Sequence, residues 1–407
     1  MTVSSPSLSL WKNRNYLRLL LAQVISLAGT GISSVCLALL AYDLAKADAS
    51  VVLSIAFALK MLAYIALAPV FSVLSQRWPK RNALVLLDLI RACLIIGLPF
   101  VSEVWQVYVL MFLINTCSAA FTPLYQATLP QVLPDRDNYT RALSNSRIAY
   151  DLEQILSPIL SAVLLSVMSF QYLFWIDAVT FFVSALLILH CLASTEDLSS
   201  QKVEKLNLRI LFDGLIGYLS QPSLRSLWYA YLATASASAM VIVNTVVYVH
   251  EILGGGSSET ALAMLAVGLG SMLVAVSLPK VVSPVNLHRS QALGLFLICL
   301  AFFIGTWLPS WIGYLVLCFL FGVGMSCIQT TSGLIINDAS NGKDASKLFA
   351  AHFSLTHFWW LLTYLIAGVS ASLWGVVGAY WLMLLVAVIS SSAFALKRVL
   401  RRDAMQC

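Results

Sequence analysis

Trp311 through Ile336 reads WIGYLVLCFLFGVGMSCIQTTSGLII, 26 residues without a charge. Coiled as an α-helix at about 1.5 Å per residue, this run is longer than the ~30 Å hydrocarbon core of a bilayer. A charge-free run of that length reads as a membrane span. Eleven further apolar runs accompany it. Six lie near 16–41, 51–75, 83–102, 105–129, 142–167 and 170–194, and five near 226–250, 259–279, 291–309, 348–373 and 376–396. The pattern predicts an all-α membrane protein with 12 transmembrane helices in two pseudo-symmetric six-helix bundles.

The bulk composition agrees. The chain has 407 residues, 60% hydrophobic and only 10% charged, with a mean hydropathy of +0.88. A soluble domain carries about 25% charged residues, so lipid must solvate much of this surface. The net charge of +6 does not point to nucleic acid, because the charges lie in short tracts between apolar runs. Seven cysteines, Cys36, Cys93, Cys117, Cys191, Cys299, Cys318 and Cys327, lie inside apolar runs, and Cys407 is terminal. With no CxxC spacing they read as small apolar fillers. Lys12, Arg14 and Arg18 precede a run too long for the apolar core of a signal peptide.

Basic residues set the orientation. One side receives Lys12, Arg14 and Arg18, then Arg77, Lys80 and Arg81, Arg136 and Arg141, Lys202, Lys205 and Arg209. Lys280, Arg289, Lys343, Lys347 and the tail Lys397, Arg398, Arg401 and Arg402 follow on the same side. The opposite loops hold Lys46. Both termini are therefore expected in the cytoplasm. A polar linker divides the chain into an N-terminal bundle at 1–194, a cytoplasmic segment at 195–225 and a C-terminal bundle with a basic tail at 226–407. Within the linker, Leu206, Leu208, Ile210, Leu211, Leu215, Ile216 and Leu219 alternate with Lys205, Arg209 and Asp213, the pattern of an interfacial amphipathic helix. A 6+6 arrangement is the plan of transporters that hold substrate between two bundles.

Ionisable residues inside hydrocarbon are costly and mark cavities or partners. The first half holds Lys60, Asp88, Arg91, Arg147, Asp151, Glu153 and Asp177. Asp88 and Arg91 at i,i+3, and Arg147 and Asp151 at i,i+4, can each form a local pair. Glu153 is rotated about 200° from Asp151, so it faces elsewhere, roughly 16 Å deep if the span starts near 142. A carboxyl so placed can exchange a proton during a transport cycle. Glu153 and Asp151 are therefore the proton-coupling candidates. Lys60, Arg147 and Asp177 are the substrate-cavity candidates, with Lys60 expected to draw an anionic substrate or to pair with Asp177. Asp88, Arg91, Arg77, Lys80 and Arg81 read as gating or structural charges. His352 and His357 lie about 140° apart on a helix and do not converge on one ion. No metal and no cofactor are expected. No Walker A, GxSxG or HExxH motif is present, so the chain does not read as an enzyme.

Several stretches carry a family resemblance. Trp11–Gln23, Tyr42-Asp-Leu44 and Lys60 are one set. Ala68 through Arg81 is another, with Ser72 and Gln76 where a loop signature has glycine and aspartate. Asp88-Leu-Ile-Arg91-Ala92, Phe121 through Pro130, Arg141 through Asn145, Asp177 through Ala185 and Gly214 through Pro222 continue it. Ser157, Pro158, Ser161 and Ala162 stand at an antiporter-like motif whose glycines they replace with other small residues. In these stretches the chain resembles the major facilitator superfamily, and within it the bacterial efflux branch of siderophore exporters, macrolide exporters and nickel-resistance permeases. The resemblance implies a monomeric carrier in the bacterial inner membrane, coupling protons to export of a small molecule. A siderophore or similar polar metabolite is the first expectation, and a drug, macrolide or metal ion the alternative. A membrane sensor or assembly partner that kept the fold is the competing class.

Overall fold

Helix signals in the sequence decide where each element starts and stops. The computed structural model describes residues 10–67, 70–71, 79–133, 135–191, 215–281, 287–340 and 346–404. Helix α1 is Arg14–Ala45. The side chain of Asn13 caps it, accepting the backbone N–H groups of Asn15 and Tyr16, each at 3.1 Å. The next turn, Lys46–Asp48, carries Lys46 at φ 52° and leads into α2, Ala49–Leu62. Helix α2 then loosens into a π-turn at Ala63–Leu67. Helix α3 is Lys80–Gly97. Helix α4, Val104–Val132, opens with a capping box between Glu103 and Gln106, which satisfies two otherwise orphaned N–H groups. Helices α5 and α6 are Arg136–Leu165 and Phe170–Leu189.

Residues 215–220 form a short helical segment. Then comes α7, Pro222–Val247, with a proline in its first turn, where no N–H is needed. A π-turn at Tyr248–Ile252 extends it. Helices α8, α9 and α10 are Ser257–Val281, Leu287–Gly305 and Trp311–Ala339. The last stretch, Ser346–Ala404, has 59 residues. Straight, it would be nearly three hydrocarbon cores long at ~1.5 Å per residue. Gly375, at φ 67° and ψ 176°, breaks it into α11 at 346–374 and α12 at 376–404.

Nine helical stretches among the described residues are long and apolar enough to cross a membrane. Two of them, Arg14–Leu67 and Ala351–Leu396, hold two helices each. Helix α5 is not among the nine, and it is the helix that carries Arg141, Arg147, Asp151 and Glu153. The chain is an all-helical membrane protein, without strands among the described residues, and its helices are consistent with a count of twelve.

By contact the chain forms two compact units. The first takes α1 up to Cys36, Leu62–Ser157, and the chain from Met168 through α6. The second takes Leu37–Met61, Pro158–Val167, and the chain from α7 onward. This division cuts through α1, α2 and α5, because it records which helix ends are pressed together in this conformation. In the first unit, α3 packs on α4 and α6. Its core joins Tyr16, Leu19 and Ala22 to Leu84, Phe121, Leu124, Leu129 and Ile188. In the second unit, α7 packs along the stretch that holds α11 and α12, while α8 and α9 pack on α10. Helices in lipid associate through close backbone approach. Here a Cβ on Gly322 would strike the Val267 carbonyl, and one on Gly270 would strike the Phe319 carbonyl. Phe296, Trp307, Ile312 and Leu373 are exposed, which suits side chains facing lipid. The linker expectation at 206–214 lies outside the described residues.

Candidate functional site

The polar centre of the first unit is built on α1. Between Gln23 and Ser34 this helix reads QVISLAGTGISS. Ser26, Thr30 and Ser34 each donate to a carbonyl of the preceding turn, at 3.1, 2.9 and 3.0 Å. Such back-bonding satisfies buried hydroxyls and favours helix bending. Gln23 is buried and accepts from Ser146 of α5 at 2.8 Å. About two turns earlier, Tyr16 accepts from Asn145 at 2.9 Å.

Two carboxyl side chains reach α1 at its two glycines. Glu153 of α5 lies against Gly31: a Cβ there would be 2.7 Å from Glu153 Oε1 and would overlap Ser157 Oγ. Asp177 of α6 lies against Gly29, where a Cβ would overlap its Oδ1 and Thr180 Oγ1. Positions 29 and 31 are about 200° apart on a helix and about 3 Å apart along it. One short section of α1 therefore receives a carboxyl on each of two opposite faces. Asp177 is fully buried. Its Oδ2 accepts from Ser33 at 2.5 Å, and Thr180 Oγ1 lies 3.3 Å from its Oδ1.

Asp88 and Arg91 of α3 form a buried ion pair. Asp88 also accepts from Ser184 of α6 at 2.7 Å. The Arg91 guanidinium lies 4.4 Å from the ring centre of Phe121 on α4 and 4.4 Å from that of Phe181 on α6. A charge pair out of water holds only when its remaining valences are met. Here a hydroxyl and two π faces help to meet them.

In the second unit the far end of α1 and the body of α2 pack on α7 and α11. Tyr42 donates to Glu251 at 2.7 Å and stacks 4.0 Å from His250. Ser50 donates to Asn244 at 2.8 Å, and Asn244 in turn donates to the Ala367 carbonyl at 3.3 Å. Ser54 occupies the space over Gly368, and Phe57 stacks on Tyr364 at 5.2 Å. Toward the other end of α7, Trp228 and Trp359 stack at 4.6 Å. Trp228 donates to the Leu355 carbonyl and Trp359 to the Trp228 carbonyl, at 3.2 and 3.0 Å. His352 is buried and hydrogen-bonds Tyr218 at 2.7 Å.

The sequence-predicted residues are distributed as follows. Glu153 is half-buried and is not isolated. Asp177 takes its bonds from Ser33 and Thr180, while Lys60 Nζ lies 5.7 Å from the Phe57 ring centre. Ser157 and Ser161 are buried on α5, and neither hydroxyl has a hydrogen-bond partner among the described residues. Ala162 is half-buried. Lys80 opens α3, and Arg81 Nε donates to Asn82 at 3.4 Å. Arg77 and the side chains of Arg147, Asp151 and Pro158 lie outside the described residues. The roles of Gly29, Gly31 and Ser33 were not read from the sequence. Their signal was the small-residue run 29–34 inside an apolar span, which names no partner helix.

Comparison with known proteins adds the family. Over 182 residues, 44% of this chain, it is 31% identical to the MFS-type transporter YfiS of Bacillus subtilis. Over 172 residues, 41% of this chain, it is 27% identical to Macrolide efflux protein A of Streptococcus pyogenes. The chain spans 43% and 42% of the length of these relatives. Among solved structures, a variant of the nucleoside transporter NupG superposes with a TM-score of 0.73 at 10% identity, covering 94% of this chain and 99% of that one. A POT family transporter superposes with a TM-score of 0.72 at 12% identity, covering 96% of each chain. These likenesses show a shared fold. The family model described as Major Facilitator Superfamily matches residues 19–352, and the chain therefore belongs to that superfamily, as a multi-pass membrane protein.

Proposed function

We propose that the protein exports a small molecule across the bacterial inner membrane by proton-coupled alternating access. The observation that carries this reading is Glu153, a carboxyl in the body of α5 pressed against Gly31 of α1. An ionisable group inside a span marks a cavity, a partner or a proton path. Gaining a proton removes its charge and changes what it binds, which lets proton uptake drive a step of the cycle. Asp151, on another face of α5, is the second candidate. The bundles at 1–194 and 226–407, joined by 195–225, alternate the access of the substrate, for which Lys60 and Arg147 are the candidate contacts. Both termini are cytoplasmic on this reading. The contacts of Tyr42, Ser50, Ser54 and Phe57 with α7 and α11 are then a closed outer gate. The protein works as a monomer, without cofactor or catalysis.

For the substrate, Lys60 and Arg147 suit an anionic chelator such as a siderophore. A second reading, an amphipathic drug of macrolide type, is favoured by the similarity to a protein named for macrolide efflux. Cells with and without the gene, each with and without an uncoupler, are loaded with a labelled macrolide or a siderophore. The expected result is lower retention of one of them in cells carrying the gene, abolished by uncoupler. Equal retention throughout would sink the exporter reading and leave the sensor or assembly partner. Glu153→Gln should abolish proton-driven efflux at unchanged membrane abundance, and full efflux in that variant removes Glu153 from the mechanism.

A further inference from the structure

Asp88 and Asp177 are both fully buried in the first unit, but they are held differently. Asp88 has a bonded cation, Arg91. Among the described residues, the Asp177 carboxyl is reached by hydroxyls: Ser33 on α1 and, at 3.3 Å, Thr180 on its own helix, which also donates to the Asp177 carbonyl at 2.7 Å. The other ionisable groups that act on it among the described residues are Arg91 of α3, itself committed to Asp88, and the Cys36 thiol of α1. A carboxylate in hydrocarbon without a bonded cation is stable only when well hydrogen-bonded or neutral. Ser33 suits both states, because a hydroxyl donates to a carboxylate and accepts from a carboxylic acid. The glycine at 29 makes the arrangement possible, since a Cβ there would take the place of Asp177 Oδ1.

We infer that Asp177 is a second proton-binding site of the carrier, closed by Ser33 and seated on Gly29, whose loading changes the grip of α6 on α1. The inference rests on the proton-coupled reading above. The step is simple: one proton adds to a carboxylate oxygen, no other bond is made, and the side chain passes from one negative charge to none. In the ionised state the Ser33 bond is charge-assisted. In the loaded state it is a neutral bond, about half as strong. Glu153 does the same at Gly31 on the opposite face, so α1 is gripped from two sides by groups that a proton can relax.

The test needs no substrate. Full-length wild type, Asp177→Asn, Ser33→Ala and Glu153→Gln are reconstituted in liposomes. Infrared difference spectra are recorded as the pH is stepped from mildly alkaline to mildly acidic. The wild type should gain a protonated-carboxyl band that is missing in Asp177→Asn and shifted in frequency in Ser33→Ala, which alters the bonding without removing the acid. Identical spectra for wild type and Asp177→Asn overturn the inference. A band that answers to sodium at fixed pH, and not to pH, also overturns it. Glu153→Gln should retain the Asp177 band. If its spectrum matches wild type while that of Asp177→Asn does not, the Glu153 reading fails and this one stands. Should Asp177→Asn fail to fold, Ser33→Ala decides alone, and an unshifted band refutes the proposal.

Discussion

At the scale of single residues, the first unit is held by groups that tolerate little exchange. Removing one member of a buried ion pair strands the other, at about 3–5 kcal/mol. Arg91→Met and Asp88→Asn should each lower the thermal midpoint of the purified protein strongly, and the double variant should recover part of the loss. Arg91→Lys should not substitute, because an ammonium lacks the flat face that lies against Phe121 and Phe181. Gly31→Ala should cost about 1–3 kcal/mol through overlap with Ser157 Oγ. Ser157→Gly should restore most of it, and a double-mutant melting series checks the coupling. The spacing of Asp88 and Arg91 was legible in the sequence, because three residues on a helix share a face. Their partners Ser184, Phe121 and Phe181 were not. Nor was Ser33 as the partner of Asp177, since the two are 144 positions apart and no local pattern encodes that distance.

At the scale of elements, the spans were legible because lipid leaves the backbone few alternatives to helix. Boundaries were less so. The apolar run read to 194, whereas α6 ends at Leu189. The run read to 396 continues helically to Ala404. Helix α5 shows how charge obscures a span: the run near 142–167 holds Arg147, Asp151 and Glu153, and α5 is not among the nine stretches apolar enough by mean hydropathy among the described residues. The break between α11 and α12 depends on one left-handed glycine. Gly375→Ala should destabilise by about 1 kcal/mol or somewhat more, visible as a lower melting temperature, while Gly333→Ala, with open space around it, should be near neutral.

At the scale of the whole molecule, no local pattern showed that residues 37–61 of α1 and α2 belong by contact with α7 and α11. In the second half, Asn244, Thr245, Tyr248 and Tyr314 are buried among the apolar spans. On the proposed transport reading, the Tyr42–Glu251 and Ser50–Asn244 bonds hold that end shut. A Tyr42→Cys/Glu251→Cys pair, in a background with the native cysteines replaced, should cross-link readily in resting membranes. Failure to cross-link would mean that this end stands open at rest.

The pair Trp228 and Trp359 has an optical consequence. Two indoles 4.6 Å apart and tilted by 24° couple their electronic transitions. The protein therefore carries its own chromophore pair, read by circular dichroism without any label. Trp359→Phe should erase the couplet, and any step of the working cycle that parts α7 from α11 should dim it in real time.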